Sequence, residues 1–285
     1  MKAKDKIFQV KKTLNLRGNL VSLDTPAVMG ILNITPDSFY SLGRQNTEKE
    51  ILSAAENMLV EGALILDIGG YSSRPNAEDI STEIETDRIG KALAFIVKEF
   101  PEAYISIDTF RSSVAKVAID QGACIINDIS GGTLDNNMFE TVAKLNVPYI
   151  MMHMRGTPQD MVQHTDYENL LKQVTLFFSE RVEKLRILGV KDIIIDPGFG
   201  FAKTAKQSYE ILRNLDYFKG MRLPLLAGLS RKSMIYRTLD ISAEEALNGT
   251  TALNMAALIN GVSLLRVHDV KAAVETVQLY KAIYP

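Results

Sequence analysis

The chain has 285 residues, 46% of them apolar and 23% charged, with a formal net charge of -2. That length and apolar share are ample for a sizeable core, and barrel folds of roughly 250 residues form one domain. Lys and Arg are scattered, so no nucleic-acid surface is expected, and a single cysteine, Cys124, excludes an internal disulfide framework and a multi-cysteine metal centre.

The opening residues, MKAKDKIFQVKKTLNLRGN, are charged throughout and lack the apolar core of a signal peptide. No later stretch approaches the roughly 18 apolar residues of a membrane span, so no membrane contact and a cytoplasmic setting are expected. Within residues 7–25, LNLRGNLVSL predicts two short strands around an Arg-Gly-Asn turn, a hairpin expected to cap the bottom of the fold. Eight short apolar runs follow, at 28–33, 64–70, 104–109, 124–130, 148–153, 192–198, 224–230 and 263–268. Segments of helical period separate them, among them residues 47–63, 82–100, 111–122 and 169–190. Several of these close with Gly, as in VEGA, DQGA and ILGV, which fits a helix C-cap feeding the next strand.

The runs are apolar at both alternate positions, as parallel strands covered on both faces are. Eight strand–helix alternations predict a TIM (β/α)8 barrel over about residues 27–285, in a single domain 1–285. An open doubly wound sheet is the competing fold. It would gather polar residues near one switch point, whereas here nearly every run ends in a polar or small residue.

The working face of such a barrel is the C-terminal end of its strands. There the sequence sets Asn33, Asp67, Asp108, Asn127 with Asp128, His153, Asp196, Ser230 with Lys232, and Arg266 with His268. Asp108, Asn127 and Asp196 offer acceptors and one amide, and Lys232 offers donors. That suits a flat heterocycle with an amidine-like edge and a nearby carbonyl, because a carboxylate accepts two N–H donors side by side. Asn33, Ser73, Arg74, Arg266 and His268 form a second set, rich in donors and positive charge and expected to face the first across a gap; it fits a phosphate or pyrophosphate, with Mg²⁺ beside Asn33. Residues 35–46 and 71–82 read as two loops able to close over the site. His153 and Asp67 read as packing or supporting residues, His164 as solvent-facing and Lys203 as a surface residue. Of the adjacent pair Asn127 and Asp128, Asn127 is expected to point inward, and Cys124 reads as a buried, inert thiol.

Eight motifs carry a resemblance: MGILNITPDSF (29–39), LDIGGYSSRP (66–75), SIDT (106–109), INDISGG (126–132), MMHMRGTP (151–158), DPGFGF (196–201), GLSRKS (228–233) and RVHD (266–269). In order and spacing the chain resembles the bacterial dihydropteroate synthases from about residue 14 onward. The resemblance implies a transferase of folate synthesis. Such an enzyme joins 4-aminobenzoate to 6-hydroxymethyl-7,8-dihydropterin pyrophosphate and releases pyrophosphate and 7,8-dihydropteroate. It further implies that Asp108, Asn127, Asp196 and Lys232 hold the pterin, with Met151 packed on its ring and Gly228 allowing close approach. Asn33 would help ligate Mg²⁺. Arg74, Arg266 and His268 would hold the pyrophosphate, and Phe39, Ser73, Pro75, Phe201 and Ser230 would shape the 4-aminobenzoate site. The catalytic set expected on this basis is Asp108, Asp196, Lys232, Arg266 and His268, in a homodimer formed through the outer helices near the C-terminus. The family pattern has Glu where this chain has Tyr71 and commonly Thr where it has Ser73.

The implied chemistry is displacement at a methylene carbon, with positioning and charge stabilisation supplied by the protein and no obligatory general base. Two other readings are weighed. A metal-dependent hydrolase would be built on His153, Asp196, His268 and Asp269, yet the chain has three histidines in all. A non-catalytic pterin-binding module would share the pterin-holding acids and have no need of the pyrophosphate set.

Overall fold

A computed structural model describes residues 10–34, 44–73 and 78–285, with the backbone alone over 44–47. The chain opens with the expected hairpin. β1 (Thr13–Leu16) and β2 (Asn19–Ser22) pair antiparallel, with Leu16 opposite Asn19. The two residues at the tip, Arg17 and Gly18, have φ of 50° and 85°. That is the left-handed geometry whose twist suits a two-residue hairpin, and Gly18 adopts it without steric cost. Asn15 braces the tip by accepting the Gly18 N–H at 2.9 Å.

Eight parallel strands follow: β3 (Ala27–Asn33), β4 (Ile65–Gly69), β5 (Tyr104–Asp108), β6 (Ile125–Asp128), β7 (Tyr149–Met152), β8 (Ile193–Asp196), β9 (Leu226–Ala227) and β10 (Leu264–Val267). Their spatial order is β8-β7-β6-β5-β4-β3-β10-β9. A parallel bridge between Ile195 and Leu225 joins the two ends, so the ring closes as a TIM barrel. β9 is the shortest strand, and Pro224, two residues before it, brings no N–H to the sheet. Its carbonyl still accepts from Ile195 N at 3.0 Å, and that bond starts the closure.

Between and after the strands run α1 (Arg44–Val60), α2 (Thr82–Glu99), α3 (Ser112–Asp120), α4 (Met138–Leu145), α5 (Leu170–Ile187), α6 (Ala205–Arg213), α7 (Ser233–Leu239), α8 (Leu247–Ile259) and α9 (Val270–Ile283). Local chemistry starts several of them. Ser81 and Asn169 cap α2 and α5, and Thr204 with Gln207 forms a capping box on α6. No helix among the described residues is long and apolar enough to cross a membrane.

Along each strand one set of side chains packs outward under the helices, and the other points into the barrel. The lower interior is apolar: Met29, Ile65, Ile125, Ile150, Ile194, Leu226 and Leu264 form one cluster. Leu14, Leu16 and Leu23 from the hairpin plug it from below. Each fully buried leucine there contributes roughly 2 kcal/mol by leaving water. Lys11 and the backbone N–H of Asn15 both engage Asp192, at the foot of β8, which fixes the plug in place. Cys124 is buried in the same layer, and burial pushes its thiol up to about 11, consistent with an inert side chain. With the bottom filled, the open end of the barrel is its C-terminal rim.

Candidate active site

The inward positions change character halfway up the barrel. Above the apolar layer they are Asp67 on β4, Asp108 on β5, Asn127 on β6, Asp196 on β8 and Arg266 on β10. Burying several charges together is costly unless they are paired. Arg266 does most of the pairing: its Nε donates to Asp67 Oδ2 and its Nη2 to Asp108 Oδ2, both at 2.6 Å. Asn127 Nδ2 donates to the same Asp67 oxygen at 3.0 Å. One guanidinium therefore serves two carboxylates. Burial raises Asp108 most, Arg266 opposes, the Asp67 charge reinforces, and the carboxyl is pushed up to about 7. The same two carboxylates hold Arg266 firmly protonated against its own burial.

Asp196 ends β8, and its Oδ1 accepts the Gly198 N–H at 2.8 Å. Gly198 has a φ of 72°, and a Cβ there would collide with the His153 carbonyl, so only glycine makes this turn. Burial raises the Asp196 carboxyl, while the Gly198 N–H and the charges of Lys232 and Arg266 oppose it. Lys232 stands over the Phe201 ring, its Nζ 4.2 Å from the centroid. Burial and Arg266 lower it to about 8, against the pull of Asp196 and Asp108. Lys232, Arg266, Asp108 and Asp196 thus act on one another across a single space. The acidic and basic groups, expected as two sets facing across a gap, are interleaved, with Arg266 bonded directly to the acids.

Ser230 and His268 sit side by side where the seventh and eighth barrel strands end. Ser230 Oγ accepts the His268 backbone N–H at 3.2 Å and lies 3.0 Å from ring Nδ1. With its hydroxyl donating to Nδ1, the ring proton is on Nε2. Burial, then the charge of Arg266, lowers the imidazole to about 4. At neutral pH His268 is a neutral donor, where the sequence suggested part of a positive cluster. Asn33 ends β3. A Cβ built on Gly69 would lie 3.5 Å from Asn33 Oδ1 and 3.8 Å from Asp108 Oδ2, so both oxygens line the same small space. Gly228 is an inward position too, and a Cβ there would meet nothing within 4 Å among the described residues. Ser73 is half-buried near the start of the loop after β4. Phe39, Arg74 and Pro75 lie outside the described residues, as do most of the first loop and the middle of the second.

Met151 was expected to face the ligand and does not. It is wholly buried among Tyr149, Phe178 and other outward-facing side chains. The strand pairing sets Met152 opposite Asp196, and Met152 packs with Phe110, Phe201 and Met154 beside the site. Met152 is the methionine at the rim. Two adjacent apolar residues carry no sign of which one points inward.

Two other residues, Asp67 and Lys203, took places the sequence left open or misread, while Asp128 faces outward as expected. Asp67, an open choice, is fully buried and holds Arg266 and Asn127; an acid in the middle of the apolar run of β4 was the available signal. Asp128 faces away from the barrel interior and is spent on its own loop, accepting from Ser130, Gly132 and the Tyr149 hydroxyl. Lys203, read as a surface residue, is buried. Its ammonium donates to the carbonyls of Gly198 (3.1 Å), Phe201 (3.0 Å) and His153 (3.3 Å) and faces His153 Nδ1 at 2.9 Å. Burial lowers it to about 7. It clasps the turn that carries Asp196. His153 is the packed histidine expected, edge-on to Phe177 with centroids 4.8 Å apart, and His164 is partly exposed beside Asp160.

Comparison with known proteins gives a consistent result. The family described as "Pterin binding enzyme" matches residues 29–268. The dihydropteroate synthase of Synechocystis is 42% identical over 260 residues, covering 90% of each chain. The Yersinia pestis dihydropteroate synthase, solved in a sulfonamide drug complex, superposes with a TM-score of 0.89 at 36% identity, over 95% of this chain and 98% of that one. The Xanthomonas albilineans dihydropteroate synthase, solved with 4-aminobenzoic acid, gives 0.88 at 34% identity over 95% and 98%.

Proposed function

The chain belongs to the pterin-binding enzyme family, and from that premise we infer that it is a dihydropteroate synthase. It joins 4-aminobenzoate to 6-hydroxymethyl-7,8-dihydropterin pyrophosphate, giving 7,8-dihydropteroate and pyrophosphate. The observation that carries this reading is the knot at the barrel mouth, with Arg266 tied to Asp67 and Asp108 and flanked by Asn127, Asp196 and Lys232. A dihydropterin presents an N–H edge beside a carbonyl. Asp196 and Asp108 accept from that edge, Asn127 accepts or donates, and Lys232 donates to the carbonyl. Desolvated carboxylates left without such donors would cost several kcal/mol, which disfavours a ligand of other shape. Met152 and Phe201 offer the apolar surface for the flat ring.

Displacement at the methylene carbon leaves negative charge on the departing pyrophosphate and positive charge on the pterin. Lys232 and Arg266 attract the first, and the His268 Nε2–H donates to it without bringing charge. Asp108 and Asp196 stabilise the second. The aniline nitrogen of 4-aminobenzoate is neutral at pH 7 and needs orientation more than deprotonation, so no residue is assigned as base. Ser73, Ser230 and Phe201, with Phe39 and Pro75, complete the 4-aminobenzoate side, and Arg74 joins the pyrophosphate side.

The Asn33 corner fits Mg²⁺, a hard cation that binds few protein ligands and keeps water and phosphate oxygens around it. Among the described residues no group of three or more His, Cys, Asp or Glu could hold a metal by itself. Asn33 Oδ1 would hold the ion, with the substrate's oxygens supplying much of the rest. When bound, it screens the charge of the pyrophosphate. The same reading makes the protein a cytoplasmic homodimer. Leu239 at the end of α7, with Leu247 and Ile259 on α8, exposes apolar surface on the outer helices suited to a second copy.

The direct test mixes the protein with both substrates and follows pyrophosphate. Release that needs both substrates is expected. Pterin binding with no release would instead favour the non-catalytic module. Gly228 gives a sharper check. An added methyl group there would meet no atom of the described residues within 4 Å, so Gly228→Ala is expected to leave the melting temperature within about 1 °C. It should weaken pterin binding about tenfold by calorimetry, through the close approach that it blocks. Unchanged affinity would place the pterin elsewhere.

A further inference from the structure

Tyr71 follows the two glycines that end β4, and it is buried. Its hydroxyl accepts from Gln159 Nε2 at 2.7 Å and donates to Asp79 Oδ1 at 3.2 Å. Gln159 belongs to the loop after β7, and Asp79 to the far end of Tyr71's own loop. The ring meets Phe110, in the loop after β5, edge to face with centroids 5.1 Å apart. The Arg111 guanidinium lies 5.3 Å from the Tyr71 centroid and 5.1 Å from that of Phe110. One side chain therefore touches three of the loops that line the rim.

The support beneath is rigid. Arg111 donates to Glu85 Oε2 and to the Ile80 carbonyl, each at 2.7 Å. Glu85 is completely buried and also accepts the Thr109 hydroxyl at 2.6 Å. On its other side Phe110 packs against the buried cluster that holds Met152, the same apolar cluster on which Phe201 rests. Burial raises the Tyr71 phenol, so it keeps its proton and remains able to donate.

We propose that Tyr71 is a positioning residue for the 4-aminobenzoate subsite, its hydroxyl tying the β4 loop to the β7 loop and its ring seating Phe110 on the apolar cluster that also supports Phe201. Ser73 lies two residues further along the same loop, so its place depends on where Tyr71 is held. The inference rests on the synthase reading above and adds a residue to which that reading gives no role. Holding these loops together before binding lowers the ordering cost when the small aromatic acid arrives, which acts on its affinity more than on the chemical step.

The test uses Tyr71→Phe, which keeps the ring and removes the hydroxyl, and Gln159→Leu, an exposed position whose change spares the core. Steady-state pyrophosphate release is measured for wild type, both single variants and the double variant. Each single variant is expected to raise the KM for 4-aminobenzoate about fivefold, with kcat within twofold and the pterin Kd unchanged. The double variant should raise KM no further, because both changes break the same bond. An unmoved KM in Tyr71→Phe overturns the proposal, and so does a double variant whose effect is the product of the singles. A wild-type protein that releases no pyrophosphate defeats the functional reading itself. An active wild type with an unmoved KM in Tyr71→Phe defeats only the role of Tyr71.

Discussion

Arg266→Met is expected to lower kcat/KM about a hundred- to a thousandfold and to lower stability by about 3–5 kcal/mol. Both effects come from one position. In the folded protein the guanidinium is bonded to Asp67 and Asp108, each at 2.6 Å, and Asp67 is wholly buried. Methionine fills much of the volume but leaves two neighbouring carboxylates without their cation. Breaking a buried pair by removing one partner costs about 3–5 kcal/mol because the remaining charge stays desolvated. Part of that is relieved by protonation of Asp108, already pushed up to about 7. The catalytic loss is separate: a preorganised cationic donor near the departing group is worth about 2.7–4 kcal/mol, or two to three powers of ten. Thermal melts and pyrophosphate release measure the two effects independently. Arg266→Lys keeps a charge without the two-pronged geometry and should fall between. A methionine variant within tenfold of wild-type activity would remove Arg266 from the chemistry.

Asp196→Asn is expected to weaken pterin binding about a hundredfold with little loss of stability. Asp196 Oδ1 accepts from Gly198, and its other oxygen has no hydrogen-bond partner among the described residues. Asparagine can still accept the Gly198 N–H, so the turn survives. It can present only one carbonyl oxygen, and if its amide faces the ligand, donor meets donor. Hydrogen bonds to charged groups are worth about 1.5–3 kcal/mol, and loss near the upper end is about two powers of ten in affinity. Stability should hold or rise slightly, because a buried charge has been removed. Calorimetry of the pterin with wild type and variant decides the matter. An unchanged Kd would mean that the carboxylate at the end of β8 serves the turn alone.

The sequence and the structure part company at specific residues. The strand runs were readable because parallel strands buried on both faces are apolar at every position and stop at Gly, Pro or a polar residue. For the same reason their facing was not readable: Met151 and Met152 are equally apolar, and the register with β8 decides that Met152 shares the inner face with Asp196. Polar strand ends signalled the rim. Asp67 and Asp128 look alike in sequence, yet one holds Arg266 inside the barrel and the other braces a loop outside it. Lys203 follows a Gly-rich turn and reads as surface, but three carbonyls curl around its ammonium.

Charge state was the other quantity out of reach. His268 was grouped with the cations, and burial beside Arg266 leaves it neutral at pH 7.

By itself, the sequence determined the number and order of the strands, the face that works, the family and the residue types available at the rim. Those follow from local periodicity, turn chemistry and motif order, all of which are written in neighbouring residues. Only the tertiary structure decided which of Met151 and Met152 points inward, which acid pairs with Arg266, and which titratable groups are charged. Those depend on strand register and on desolvation by residues far away in the chain, and no local pattern encodes either.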